Sequence, residues 1–284
     1  MNRLAKVSAV AAIAILALVG TGCDKLKARD HLNRGVTQFK GARYGDAIEH
    51  FKAAVELDPN FPTARLYLAT AYMSQYIPGA ASPENLAFVK NALDNFMKVL
   101  EMNPKDTTAI ESIASLNIQQ TQGLTDLKDK LVKLDEAKTW YEKLKDVDPQ
   151  NKTAYYSLGF ITWSKWYPAL MEARAKLGMK QEDPGPLKDK KVREQLVADY
   201  MPMIQDGIQN LQKAIEIDKE YDDAMAYLNL LYREKADLAE SKADYDKDIA
   251  TADSWVDKAL QVKKLKTERD QKKGSTGIVQ EEKK

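Results

Sequence analysis

The sequence contains little of what reactive sites are usually built from. It has one cysteine, Cys23, and two histidines, His31 and His50. A single cysteine excludes an intramolecular disulfide, and two histidines away from other metal ligands are a poor start for a zinc site. No Gly-x-Ser-x-Gly turn and no glycine-rich phosphate loop occur in the sequence. We therefore expect no catalytic residue, no cofactor and no metal ion, with both histidines solvated on helix faces.

An excess of charge of either sign is also lacking. The 284 residues include 43 Lys and Arg against 42 Asp and Glu, which gives no basic field for nucleic acid. We expect neighbouring acids such as Asp222 and Asp223 to be solvated, and we expect no helix face to carry a buried acid pair. The apolar content of 44% is normal for a chain that forms a core.

One uncharged apolar run stands near the start of the chain. It extends from Val7 to Val19, after Arg3 and Lys6. A bilayer-spanning helix needs about 20 apolar residues, so we interpret residues 1–22 as a signal peptide, with a transmembrane helix as the alternative.

The residues that follow the run, "GTGC", resemble the lipobox of bacterial lipoproteins, although Gly20 stands where Leu is typical. The resemblance implies that Cys23 is lipidated and that residues 23–27 form a short tether. It further implies a membrane-anchored lipoprotein of the bacterial cell envelope that faces the periplasm. Whether the membrane is the outer or the inner one stays open.

Apolar residues recur at helical spacing along most of the chain. In "DAIEHFKAAVELDPNF", Ala47, Phe51 and Ala54 share one face, and Pro59 ends the helix because it lacks an amide donor. Similar helix endings recur before Pro104 and Pro149. With no alternating strand pattern, the spacing predicts an all-α chain of helix pairs.

This pattern resembles the tetratricopeptide repeat, a helix-turn-helix unit of about 34 residues. The resemblance implies a right-handed α-solenoid of about five repeats with elongated or inserted helices. The repeats would lie at about 28–61, 62–106, 107–151, 152–221 and 222–264, with a disordered charged tail at 265–284. Small residues let paired helices approach, and bulky residues fill the space beside them. The residues expected to pack the repeats are Gly35, Ala47, Phe51, Ala54, Pro59, Ala69, Ala92, Phe96, Pro104, Ala114, Ala137, Tyr141, Pro149, Gly159, Gly207 and Ala214.

The later repeats are longer than the family's unit. In the second, "YIPGAASPENL" predicts a loop. In the third, the chain after Gly123 is expected to stay helical, with Thr125 as the N-cap. In the fourth, the Pro and Gly content of "LGMKQEDPGPLKDKK" predicts a linker.

The resemblance also places one set of first-helix residues on a concave surface. A groove lined by them would bind an apolar or amphipathic peptide of a partner protein. Alternatively, Trp163, Trp166 and Tyr167 merely pack beneath the long insertion. The predicted groove consists of Leu32, Val36, Phe39, Leu66, Met73, Tyr156, Phe160 and Trp163. Repeats that clamp a peptide carboxylate use Lys and Asn on this surface; here the positions hold Thr63, Thr70, Glu111 and Ser115, so we do not expect a carboxylate clamp.

These observations favour a non-enzymatic, lipid-anchored adaptor that mediates protein–protein interaction in a membrane-associated assembly. The alternative is a small-ligand-binding protein or a cryptic enzyme that uses a pocket under the insertion at 168–206.

Overall fold

The computed structural model describes residues 23–281, with side chains through residue 272. The predicted signal peptide, 1–22, lies outside the described residues. None of the described helices combines the length and the apolar character that a membrane span requires. The helices are α1 (23–40), α2 (Tyr44–Leu57), α3 (Pro62–Gln75), α4 (Pro83–Met102), α5 (Thr107–Gln120), α6 (Leu127–Val147), α7 (Lys152–Lys176), α8 (Lys190–Ile217), α9 (Asp222–Ala236) and α10 (Lys242–Glu281), with a 3-10 turn at Thr121–Gly123.

The chain divides into two compact units at Trp140, within α6. The first unit contains α1 to α5, and the second contains α7 to α10. Over residues 23–281 the chain is all-α, and no strand occurs there. Each predicted repeat holds two consecutive helices, as an antiparallel pair requires.

Consecutive helices of the first unit pack against one another, from α2 through α5. A Cβ atom at Gly35 would collide with the ring of Phe51, so glycine is what allows α1 to lie this close to α2. The alanines expected to pack this unit are fully buried with Phe51 and Phe96, whereas Pro59 and Pro104 lie exposed in the turns. The alanines that were predicted to pack the repeats of this unit, and that are fully buried, are Ala47, Ala54, Ala69, Ala92, Ala114 and Ala137.

In the second unit, glycines likewise allow α7 and α8 to lie close together. A Cβ atom at Gly159 would overlap Leu211, and one at Gly207 would lie 2.5 Å from Thr162 Cγ2. Ala214 is fully buried and Tyr141 is 3% exposed, while Pro149 is exposed at the end of α6. Two glycines therefore face large side chains across one helix pair.

The loop between α3 and α4 is held by one side chain. Asn85, which is buried, accepts a hydrogen bond from the amide of Ile77 at 2.7 Å. It also donates to the carbonyls of Ile77 and Ala80, both at 2.8 Å. The segment is a loop, as the sequence predicts, and its backbone groups are satisfied without regular structure.

The N-cap of α6 differs from the sequence prediction. The carboxylate of Asp126, not the hydroxyl of Thr125, accepts from the amides of Lys128 at 2.7 Å and Asp129 at 3.3 Å. Both residue types cap helices well. A carboxylate also interacts favourably with the positive end of the helix dipole, which neutral threonine does not.

The ends of the repeat region also differ from expectation. Residues 23–27, predicted as a tether, belong to α1, and the tail predicted to be disordered from 265 continues α10 to Glu281. Lys266 pairs with Asp222 at 2.5 Å and Arg269 pairs with Glu220 at 2.7 Å. These pairs join the middle of α10 to the first residue of α9 and to the turn before it, which charge content alone does not reveal.

Candidate functional site

Four aromatic side chains of the second unit meet between α7 and α9. We call Tyr156, Phe160, Trp163 and Tyr227 the aromatic face. The ring of Tyr227 lies edge-on to the other three, at centroid distances of 5.8, 5.3 and 5.4 Å. All four side chains are half-buried, and Tyr156, Trp163 and Tyr227 pack on the core of the unit. Residues 156, 160 and 163 share one side of α7 because helical positions three or four apart are neighbours.

The tyrosines of this face are uncharged hydrogen-bonding groups. Burial raises the pKa of Tyr156 and of Tyr227, with nearby Asp223 adding to both shifts. Tyr156 also packs on Tyr221 at 5.0 Å, and the ammonium of Lys152 lies 5.1 Å from the Tyr221 ring. The face is therefore an aromatic, largely apolar surface that carries two uncharged phenol groups.

Trp163 connects the aromatic face to a buried acid. Its indole Nε1 donates a hydrogen bond to Glu234 Oε1 at 2.9 Å. The second carboxyl oxygen, Oε2, is buried and has no hydrogen-bond partner. Burial raises the pKa of Glu234 to about 8; the indole opposes this shift and the charge of Asp237 adds to it. At neutral pH the free protein holds this carboxyl mostly protonated.

One turn further along α9, Asp237 forms a buried ion pair with Arg174 of α7. The Arg174 and Asp237 side chains are 5% and 7% exposed, and Nη1 lies 2.5 Å from Oδ2. Burial raises the pKa of Asp237, and the guanidinium beside it opposes this shift. Arg174 also donates to the carbonyls of Lys180 and Asp183. The ion pair thus fixes the segment between α7 and α8, so the linker predicted there is irregular but packed.

The segment at 177–189 is anchored by apolar contacts as well. Leu187 is fully buried and Met179 is 5% exposed. A Cβ atom at Gly185 would overlap the Asp237 carboxylate, so glycine is needed where the segment crosses α9. A cavity of about 370 Å³ lies beneath this segment, between α7, α9 and α10. Its lining includes Tyr167, Leu170, Arg174, Glu182, Asp183, Arg233, Glu234, Asp237, Tyr245 and Ile249.

The other predicted groove residues lie in the first unit. Phe39 contacts Tyr44 edge-on at 5.2 Å. Leu32, Val36, Leu66 and Met73 are half-buried, as Phe39 is. Of the tryptophan pair in α7, Trp166 is fully buried against Tyr200 of α8, and Tyr167 stacks on Trp163 at 5.2 Å. The packing alternative therefore describes Trp166, while Trp163 remains partly accessible.

The two histidines are not independent solvated side chains, contrary to expectation. His31 and His50 face each other from α1 and α2, with their Nδ1 atoms 3.3 Å apart and both rings half-buried. Within residues 23–272, no three His, Cys, Asp or Glu side chains are grouped to hold a metal ion. Cys23 is exposed and is not part of a disulfide.

Known proteins share the arrangement of helix pairs. Residues 39–75 match a protein family described as TPR repeat. A solved structure of MamA from Desulfovibrio magneticus RS-1, residue 41 to the end, superposes with a TM-score of 0.54 at 17% identity, covering 84% of this chain and 96% of that one. The chain therefore contains a tetratricopeptide repeat, and its fold is similar to that of MamA. A crystal structure of MamA protein gives a TM-score of 0.53 at 16% identity, covering 85% of this chain and 94% of MamA. No curated protein matches the sequence.

Sequence reasoning missed the acids of the site. Contrary to the expectation of no buried acid pair, Glu234 in the last turn of α9 and Asp237 at its C-terminal cap are both largely shielded from water. Their partners, Trp163 and Arg174, lie 71 and 63 residues away in the chain. The one local signal is that Asp237 follows Glu234 at helical spacing, and many solvated helices share it.

Proposed function

We propose that this chain is a non-enzymatic, lipid-anchored adaptor of a bacterial cell envelope. In this proposal it binds an amphipathic peptide segment of a partner protein within a membrane-associated assembly. The aromatic face carries the proposal, because it places four partly accessible rings together on first helices of a tetratricopeptide fold. Helical repeats offer such surfaces for docking, and this family's fold is one that serves protein interaction.

The composition of the aromatic face fits an amphipathic segment. Aromatic rings supply large apolar contact area and lose little conformational freedom on binding, so they dominate many interfaces. Here the rings already contact one another, which reduces the ordering needed on binding. The phenol groups of Tyr156 and Tyr227 can exchange hydrogen bonds with the docked segment.

Membrane anchoring is tested at Cys23. We expect the mature protein to carry acyl chains on this residue and to sediment with membranes, since each buried methylene contributes about 0.8 kcal/mol. Cys23→Ser should abolish incorporation of an alkyne fatty acid and release the protein into the soluble fraction. Tight membrane association of the serine variant after signal cleavage would show that the anchor is wrong.

Docking is tested by photocrosslinking from position 160 in the native envelope, followed by affinity measurements with the captured protein. Phe160→Ala should weaken binding about tenfold, as expected when an aromatic anchor is removed. Tyr155→Ala is the matched control, because Tyr155 neighbours the face on α7 but contacts the carbonyl of Pro149. Equal affinities of the two variants would contradict docking on this face.

The cavity beneath 177–189 favours a second candidate function, the binding of a small ligand. Its volume of about 370 Å³ lies within the range typical of ligand sites. Charged, hydrogen-bonding and apolar side chains all line it, as a specific site requires.

A further inference from the structure

We propose that Glu234 is a positioning residue of the aromatic face: its carboxyl oxygen holds the Trp163 indole in the orientation in which the face receives a peptide segment. The inference rests on the proposed docking at this face and names the side chain that controls it. Glu234 acts through Trp163, since its own carboxyl group is largely shielded from water.

Trp163 contacts three other rings around the aromatic face. It stacks on Tyr167 with 5.2 Å between the ring centroids, lies edge-on to Tyr227 at 5.4 Å and is tilted against Phe160 at 6.4 Å. A change in the side-chain torsions of Trp163 would alter all three contacts, and with them the surface that a docked segment meets. The orientation of this indole therefore decides the shape of the face.

The hydrogen bond to Glu234 selects one orientation of the indole. Trp163 has a single side-chain donor, Nε1, which lies 2.9 Å from Glu234 Oε1. Ring contacts alone tolerate several orientations, because aromatic pairs are stable both offset-stacked and edge-on. A buried N–H group left without an acceptor costs free energy. The acceptor on α9 therefore holds the Nε1 edge of the indole towards that helix.

The carboxyl group of Glu234 is costly for the fold, which points to a role other than stability. Its Oε2 is buried and has no hydrogen-bond partner among the described residues. The two arginines that line the same cavity are already paired with other carboxylates at 2.5 Å. An apolar residue at this position would carry no such cost. What the carboxyl group supplies, and an apolar residue lacks, is the acceptor for Trp163.

Docking over Trp163 should be linked to proton uptake by Glu234. The charged and titratable groups around Glu234 are Arg174 and Tyr167 from α7, Arg233 and Asp237 from α9 and its cap, Glu182 and Asp183 from the segment at 177–189, and Tyr245 from α10. Burial raises the pKa of Glu234 to about 8, and a segment that covers Trp163 removes further water and so disfavours the ionised form. The affinity for the segment should therefore fall by about threefold as the pH rises from 7 to 9.

The first test is made on the full chain without a partner. Proton–nitrogen NMR reports the four indole N–H groups, and Trp163→Phe identifies the one that belongs to Trp163. We expect slow hydrogen exchange of this group in the wild type and in Glu234→Gln, which retains a carbonyl acceptor. Exchange should be about tenfold faster in Glu234→Leu, which has no acceptor. Fast exchange in the wild type, or equal exchange in all three proteins, would overturn the positioning role.

The second test measures docking, with the protein captured by photocrosslinking from position 160 as the probe. Glu234→Leu should weaken binding about fivefold, the cost of ordering one large side chain on binding, without lowering the free energy of unfolding at pH 7. Glu234→Gln should bind as the wild type does at pH 7 and should lose the pH dependence. Glu240→Gln, which removes an exposed carboxylate beyond α9, should keep it. In a Trp163→Phe background, Glu234→Leu should have no further effect, since the acceptor acts through the indole.

The outcomes distinguish the positioning role from docking itself. A captured partner that binds the wild type and Glu234→Leu equally well would leave docking standing and overturn the positioning role. Parallel losses of affinity and stability in Glu234→Leu would also overturn it, because they would show that Glu234 serves the fold. If no partner is captured from position 160, docking is wrong, and the positioning role falls with it even where exchange of the Trp163 indole is slow.

Discussion

The two units of this protein are stabilised in different ways. In the first unit, helix pairs close by apolar packing around Gly35, Ala47 and Phe51, and ion pairs such as Lys90 with Asp94 lie exposed. In the second unit, the same kind of packing around Gly159 is joined by the buried pair of Arg174 and Asp237. The inserted segment at 177–189 has no repeat neighbour of its own to pack on, so hydrogen bonds from Arg174 fix its position together with the burial of Met179 and Leu187. The family's packing rule thus accounts for the helix pairs but not for the insertion.

The largest expected effect is the loss of the buried ion pair. Asp237→Ala leaves the Arg174 guanidinium buried without its carboxylate, which should lower the free energy of unfolding by about 3 to 5 kcal/mol. Urea unfolding of the second unit, followed by tryptophan fluorescence, measures this change. Asp237→Asn is the milder control, since an amide oxygen still accepts a hydrogen bond. A loss below 1 kcal/mol in the alanine variant would show that the ion pair contributes little, and that apolar packing stabilises the second unit as it does the first.

The second effect concerns the pH dependence of stability. Folding raises the pKa of Glu234 from its ordinary 4.5 to about 8, so between these values the folded chain keeps a proton that the unfolded chain has lost. The free energy of unfolding should therefore fall as the pH rises through this window, by on the order of 5 kcal/mol in total.

Glu234→Gln removes this titration. Its stability relative to the wild type should rise steadily between pH 5 and pH 9, whatever fixed cost the amide brings. Chemical denaturation at several pH values measures the difference, and each unit should be followed separately. A difference that does not vary with pH would contradict the assignment of the raised pKa to Glu234.

The third effect tests what the two units share. Gly35→Ala and Gly159→Ala each place a methyl group against a fully buried side chain, Phe51 and Leu211 respectively. Each should cost about 1 to 3 kcal/mol by overpacking. Thermal unfolding of the two variants gives the comparison. If Gly159→Ala were neutral while Gly35→Ala was not, the helix crossing in the second unit would be looser than in the first.

The smallest effect is expected at the exposed contacts of α10. The Lys266 and Asp222 side chains are 39% and 24% exposed, so solvent and salt screen their attraction. Lys266→Ala should cost about 0.5 kcal/mol, and the effect should shrink further in 0.5 M salt. Hydrogen exchange at the amides of residues 260–270 tests whether the pair also limits fraying. Unchanged exchange would show that the helix needs no such contact.

Sequence alone goes far towards the fold and less far towards the site. The role of small residues such as Gly35 and Ala47 is predictable from the sequence, because each packs against a helix that lies within about 20 residues along the chain. The placement of Trp163 on a helix face is predictable as well. Its hydrogen bond to Glu234 is not, because it joins positions 71 residues apart whose meeting depends on the course of the insertion.

The helical state of residues 23–40 has a mechanical consequence. If Cys23 is acylated as we propose, the acyl chains are attached directly to a rigid helix, with no flexible linker between them. The first helix pair could then rotate about its lipid anchor but could not move freely relative to the bilayer. Each residue of α1 adds roughly 1.5 Å to the distance that this helix can extend from the headgroups. Encounters with a partner in the same membrane would then resemble a search in two dimensions.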